Sequence, residues 1–113
     1  MDAKDVVRSL AAIAHESRLE AYRLLVQAGP AGLHAGRLAE LLGLPPSSLT
    51  FHLKELVHAG LLTSRQEGRF VFYSAEYGAM SSLVAYLTEN CCGGNPCLSV
   101  NSELCSATDK IQS

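Results

Sequence analysis

Apolar residues recur along the first ninety positions with the period of a helix, then of a strand, then of a helix again. Val6, Leu10 and Ile13 fall at spacings of four and three, and Asp2 with Asp5 three residues on supplies a reciprocal helix start. His15-Glu16-Ser17 interrupts this run. A second helix follows to about Ala28, striped by Leu19, Tyr22, Leu25 and Val26 and stopped by Gly29-Pro30. A short third helix spans roughly Gly36 to Leu42, where Gly43 stops it.

The segment from Pro45 to Ala59 carries the strongest helical pattern. Pro46 suits a first turn and Ser47 or Pro45 marks the entry, while Leu49, Leu53, Leu56 and Val57 repeat at i, i+4, i+7 and i+8 before Gly60. At about 100° per residue the opposite face presents Ser47, Ser48, Phe51, Lys54, Glu55 and His58, with Thr50 and His52 on its flanks. After Gly60 the period falls to two. Leu61 to Gln66 and Arg69 to Ser74 predict paired strands, with Glu67-Gly68 at the tip. A last helix, Glu76 to about Asn90, is expected to bury Met80, Leu83, Val84 and Leu87.

These elements predict a mainly α fold with a small β-hairpin: about five helices plus a two-stranded wing over residues 1–90, and a separate tail over 91–113. A short helix, a glycine-stopped turn and a longer polar-faced helix before a hairpin spell a winged helix-turn-helix. In that layout the second helix enters the major groove of double-stranded DNA and the hairpin reaches the flanking backbone.

Composition sharpens this picture. At 113 residues and 48% hydrophobic, one domain is expected, burying roughly two thirds of its unfolded surface. The net charge of -2 argues against indiscriminate nucleic-acid binding, so the case for DNA rests on the motif. Residues 1–75 hold eight Lys or Arg against seven Asp or Glu, and residues 76–113 hold one against four. Any DNA surface therefore belongs to the first part. No apolar run approaches the ~20 residues of a membrane span and Met1-Asp2-Ala3-Lys4 does not open a secretory signal, so a cytoplasmic protein is expected. In that reducing compartment, clustered cysteines serve as ion ligands or redox groups more often than as bridges.

Ala14-His15-Glu16-Ser17-Arg18-Leu19, Leu38-Ala39-Glu40-Leu41-Leu42-Gly43, Ser47-Ser48-Leu49-Thr50-Phe51-His52-Leu53 and His58-Ala59-Gly60-Leu61-Leu62 resemble the signature stretches of the ArsR/SmtB metalloregulators. The resemblance covers about residues 5–90. It implies a homodimer, joined by the first and last helices, that represses an operon until an inducer binds. By position it implies that Ser47, Thr50 and Phe51 face base edges, with Ser48 and His52 beside them, and that Arg18, Lys54, Arg65 and Arg69 meet phosphates. Phe51 stands where the family usually has histidine and Pro46 where a polar residue is common. Base reading is then expected to rest on hydroxyls and an apolar contact with a thymine methyl. His52 has a second reading as a packed or hydrogen-bonded residue, and His15, His34 and His58 read as surface groups.

All four cysteines, Cys91, Cys92, Cys97 and Cys105, lie in the last quarter. Adjacent cysteines followed by Gly93-Gly94-Asn95-Pro96 and a third cysteine can converge three sulfurs on one atom, because the glycines let the backbone fold back and the proline turns it. Among the family's sensing positions, Leu33-His34-Ala35-Gly36 lacks the cysteines of one arsenic site, and the last helix offers only Glu76 and Glu89 in place of Asp/His pairs. The run Cys91 to Cys97 resembles the C-terminal arsenic site of one branch. Trivalent arsenic or antimony is soft and takes three thiolates in a pyramid, and a methylated arsenite takes two. Cys105 reads as an unligated thiol.

Cadmium, lead or zinc remain alternative inducers, although adjacent cysteines strain the closed tetrahedron zinc favours. A redox sensor would pair Cys91 or Cys92 with Cys97, yet no Lys or Arg lies between Arg69 and Lys110 to lower a thiol pKa. A thiol enzyme such as an arsenate reductase would need an arginine shortly after its cysteine, and none follows within reach. No enzyme activity is expected.

Overall fold

A computed structural model describes residues 1–90; the candidate ligands Cys91, Cys92 and Cys97 lie outside the described residues. Helix α1 (Ala3–Ile13) begins at the acidic pair. The Asp2 carboxylate accepts from the Asp5 amide at 2.9 Å and the Asp5 carboxylate from the Asp2 amide at 3.4 Å, satisfying two donors that a helix start otherwise leaves open. Helix α2 (Glu16–Ala28) is capped by His15, whose Nδ1 accepts from the Ser17 amide at 3.1 Å. After β1 (Leu33–His34), helix α3 (Ala35–Leu42) ends on Gly43 in the left-handed conformation. Helix α4 (Pro46–His58) is entered through Pro45 without a side-chain cap, and Pro46 occupies the first turn, where a missing N–H leaves no helical bond unmade.

The α4 stripe anchors the core. Leu49, Leu53 and Leu56 are fully buried with Leu25, Leu38, Leu61 and Leu62, and Val57 packs half-buried against them. Because α4 touches α1, α2, α3 and the first wing strand, its rotation about its own axis is fixed and so is the face it leaves outside.

Two expected stripe residues lie off the inner arc. Leu19 is 44% exposed, since α2 turns Ala21, Tyr22 and Leu25 inward and Leu19 sits roughly 110° from the centre of that arc. Leu10 is likewise exposed, while Val6, Ser9 and Ala12 form the buried side of α1.

The wing comprises β2 (Leu62–Glu67) and β3 (Phe70–Ala75), paired antiparallel. It is not a free hairpin. Strand β1 pairs with the other edge of β3, Leu33 opposite Tyr73 and His34 opposite Phe72, giving a three-stranded sheet in the order β1-β3-β2 where two strands were expected. A two-residue strand shows no alternation in sequence. Its place is made by Gly32, at φ +70, where an added Cβ would lie 2.1 Å from the Tyr73 carbonyl oxygen. The wing tip also falls one residue later than expected. Glu67 pairs with Phe70, which leaves Gly68-Arg69 as a two-residue turn with glycine, at φ +63, in its first position.

Helix α5 (Tyr77–Leu87) is tied at its start by the Tyr77 hydroxyl, which donates to the Val26 carbonyl at 3.0 Å. The chain divides into two compact units after Leu83. In the first, Leu83 is buried and Met80 half-buried; in the second, Val84 and Leu87 are exposed rather than buried as expected, and the helix ends three residues before Asn90. Among the described residues no helix is long and apolar enough to cross a membrane.

Candidate nucleic-acid interface

The outer face of α4 carries Ser47, Ser48, Phe51 and Lys54, all exposed. Thr50 is half-buried on its flank, and its hydroxyl donates to the Pro46 carbonyl at 2.9 Å. The hydroxyl proton is thus used inside the helix. What Thr50 can still offer a base is an acceptor lone pair.

Phe51 is 57% exposed, an unusual state for a phenyl ring on an otherwise polar face. The Arg18 guanidinium lies over it, 5.6 Å from the ring centre, within cation–π range. Arg18 is also held from behind. Its Nε donates to His52 Nδ1 at 3.0 Å and one terminal nitrogen donates to the Ala12 carbonyl at 3.5 Å.

His52 is thus half-buried and hydrogen-bonded on the flank of α4. Its ring stacks tilted on His15 at 4.6 Å and meets Phe51 edge-on at 5.9 Å. Burial, and after it the charges of His15 and Arg18, hold its pKa below the ordinary 6.5, so the ring is neutral near pH 7 and its Nδ1 is free to accept.

In the wing, Arg65 is similarly occupied. It bonds the Glu67 carboxylate at 2.6 Å and the Ala31 carbonyl at 2.9 Å, and lies 4.9 Å over the Phe72 ring. Arg65 is a strut between β2 and the turn before β1. Lys54 and Arg69 differ: both are exposed, and neither forms an ion pair among the described residues. Arg69 sits at the tip itself.

His34 was expected as a surface group and does more. Its Nδ1 accepts from the Arg37 amide at 3.2 Å, capping α3, while its ring packs 5.1 Å from Phe70 and 5.7 Å from Phe72. Helix α3 is so joined to the wing. The signal available in sequence was a histidine at the last position before a helix, the place His15 also occupies before α2.

The geometry is that of a DNA reader: a helix with hydroxyls and an apolar ring outward, flanked by one free lysine and a wing tipped by one free arginine. A helix-turn-helix domain family matches residues 13–65, from the last residue of α1 into β2. HlyU from Vibrio cholerae N16961 is 34% identical, covering 77% of this chain and 97% of its own with a TM-score of 0.61. Mb0332 from Mycobacterium bovis, a homodimeric winged helix-turn-helix DNA-binding domain described as a possible ArsR-family regulator, is 26% identical over 77% of this chain and 81% of its own, with a TM-score of 0.62. The chain belongs to the ArsR family of transcriptional regulators.

A possible transcriptional regulator for arsenical resistance is also similar, 29% identical over 70% of this ArsR-family chain and 79% of that one, with a TM-score of 0.63. No curated protein matches. The ArsR-family assignment makes this a DNA-binding regulator rather than an enzyme, with α3 and α4 as its helix-turn-helix and the β2–β3 hairpin as its wing. Among the described residues of the ArsR-family fold, no three His, Cys, Asp or Glu side chains gather as a metal site. Behind α4, Arg8, Arg18, Glu55 and His58 line an open cleft of ≈ 220 Å³. Its lining sets two guanidiniums beside one carboxylate.

Proposed function

We propose that this ArsR-family chain is a homodimeric, cytoplasmic repressor that leaves its operator when trivalent arsenic or antimony, inorganic or methylated, is bound by Cys91, Cys92 and Cys97. The observation that carries this reading is the sequence run Cys91-Cys92-Gly93-Gly94-Asn95-Pro96-Cys97, three soft ligands at a spacing that suits one thiophilic ion. The similarity to a possible regulator for arsenical resistance supports it. The homodimeric relative and the apolar side chains left exposed on α1 (Val7, Leu10) and at the end of α5 (Val84, Leu87) support the second copy.

On DNA, Ser47, Ser48, Thr50 and Phe51 face base edges, and Lys54 and Arg69 meet phosphates. The two α4 helices of the dimer lie about one DNA turn, ~34–36 Å, apart. Inducer and operator are linked: the factor by which the ion weakens DNA binding is the factor by which DNA weakens ion binding.

Fluorescence anisotropy of a duplex selected by the protein from a randomised library, titrated with arsenite, antimonite, methylarsenite, cadmium and zinc, tests this. Arsenite should release the wild type and Cys105→Ser, and should fail on Cys91→Ser, Cys92→Ser and Cys97→Ser, all of which still bind the duplex. Methylarsenite should release at least one of the three, since it needs two sulfurs. A blind Cys105→Ser beside a responsive Cys97→Ser would move the third ligand to Cys105. Release by zinc but not arsenite, or by a thiol oxidant alone, would refute the soft-ion reading.

A further inference from the structure

Phe51 occupies the middle of the outward face of α4, one turn after Ser47 and Ser48 and three residues before Lys54, so it approaches whatever that face docks on. A phenyl ring has no hydrogen-bonding group, and in the major groove the one apolar feature a base pair offers is the thymine C5-methyl. The ring is not loose. Arg18 covers one of its faces at 5.6 Å, and Arg18 is itself bonded to His52 and to the Ala12 carbonyl. His52 in turn stands edge-on to Phe51 and packs on His15. A guanidinium fixed at three points beside the recognition helix serves poorly as a mobile phosphate clamp. It serves well to hold a ring still.

Resting on the DNA-binding reading above, we propose that Phe51 is a specificity-determining residue that reads a thymine methyl in each operator half-site, and that Arg18 is its positioning residue rather than a phosphate contact. Ser47 and Ser48 read the polar edges of neighbouring pairs. The methyl contact removes about one methyl group from water on each side of the operator, worth roughly fourfold in affinity per half-site.

The experiment uses the full-length dimer and the duplex it selects from a randomised library. Each thymine is replaced in turn by uracil, which deletes the methyl and keeps the pairing. For the wild type, uracil at one or two positions per half-site should weaken binding roughly fourfold. Phe51→Ala should show no loss at those positions, and Phe51→Leu, still apolar, should keep part of it; the exposure of Phe51 lets both variants fold, as circular dichroism would show. Arg18→Ala should lose the thymine-over-uracil preference with the salt dependence of binding unchanged, whereas a phosphate contact would lower the slope of log affinity against log salt by about one and leave the preference intact. Uracil tolerated within twofold at every position, or a uracil penalty that survives Phe51→Ala, would overturn the assignment. Failure to select any duplex would refute the DNA-binding reading beneath it, a result distinct from selection without thymine dependence.

Discussion

Replacing Gly32 by alanine tests how the wing is held to the helical body. A left-handed φ near +70 costs an L-residue about 1–2 kcal/mol wherever it occurs. At Gly32 the new Cβ would also lie 2.1 Å from the Tyr73 carbonyl oxygen, 2.9 Å from its carbon and 3.1 Å from Ser74 Cβ. Backbone must therefore move by about 1 Å, and the short β1–β3 ladder at Leu33–Tyr73 and His34–Phe72 is what gives. Each backbone hydrogen bond lost there removes about 0.5–1.5 kcal/mol, so the total is about 2–5 kcal/mol. Gly43→Ala is the control, because its φ of +66 is similar and nothing lies within 4 Å of the added carbon; it should lose only the first 1–2 kcal/mol. Urea unfolding reads both. Gly32→Ala should also weaken DNA binding, since Arg65 is tied to the carbonyl of Ala31 next door. Equal destabilisation by the two variants would refute the close β1–β3 approach as the restraint on the wing.

The other predictions concern DNA, pH and assembly. Lys54→Ala and Arg69→Ala should weaken all duplexes alike and each lower the salt slope by about one, while Ser47→Ala and Thr50→Ala should blur sequence preference in a selection experiment; unchanged preference would place base reading elsewhere. His52 has a folded pKa below its ordinary 6.5, so the fold favours the neutral ring: its contribution is fully present above about 6.5 and is lost as pH falls through the lower folded value. Stability should therefore drop on acidification more steeply in the wild type than in His52→Gln, measured by urea unfolding between about pH 5 and 8, and parallel curves would refute the Arg18–His52 bond as the titrating contact. Leu10→Asp and Leu87→Asp, at exposed sites, should give folded monomers in sedimentation, whereas Leu83→Asp, at a buried one, should unfold the chain. Stable dimers of both exposed-site variants would move the interface elsewhere.

The sequence by itself determined the five helices, the two wing strands and the outward face of α4. Local rules sufficed there: the Asp2–Asp5 capping pair, the glycine after α3, Pro46 in a first turn, and a leucine repeat on α4 strong enough to orient its polar side without knowledge of its neighbours. The resemblance carried by Ser47 to Leu62 located the family. What the tertiary structure decided was which side chains are free. Arg18, Arg65, Lys54 and Arg69 are alike as residues in a sequence, yet Arg18 is spent on His52, 34 residues away, and Arg65 on Ala31, also 34 residues away, while Lys54 and Arg69 form no ion pair among the described residues. The third strand was equally invisible, because two residues are too few for a period and β1 exists only where β3 pairs with it. Leu10 and Leu19 satisfied a helical spacing but fell outside arcs that only the position of the neighbouring helices defines. Periodicity is a local property of the chain and can be read from it; the pairing of a charge or a strand edge depends on what folding brings beside it.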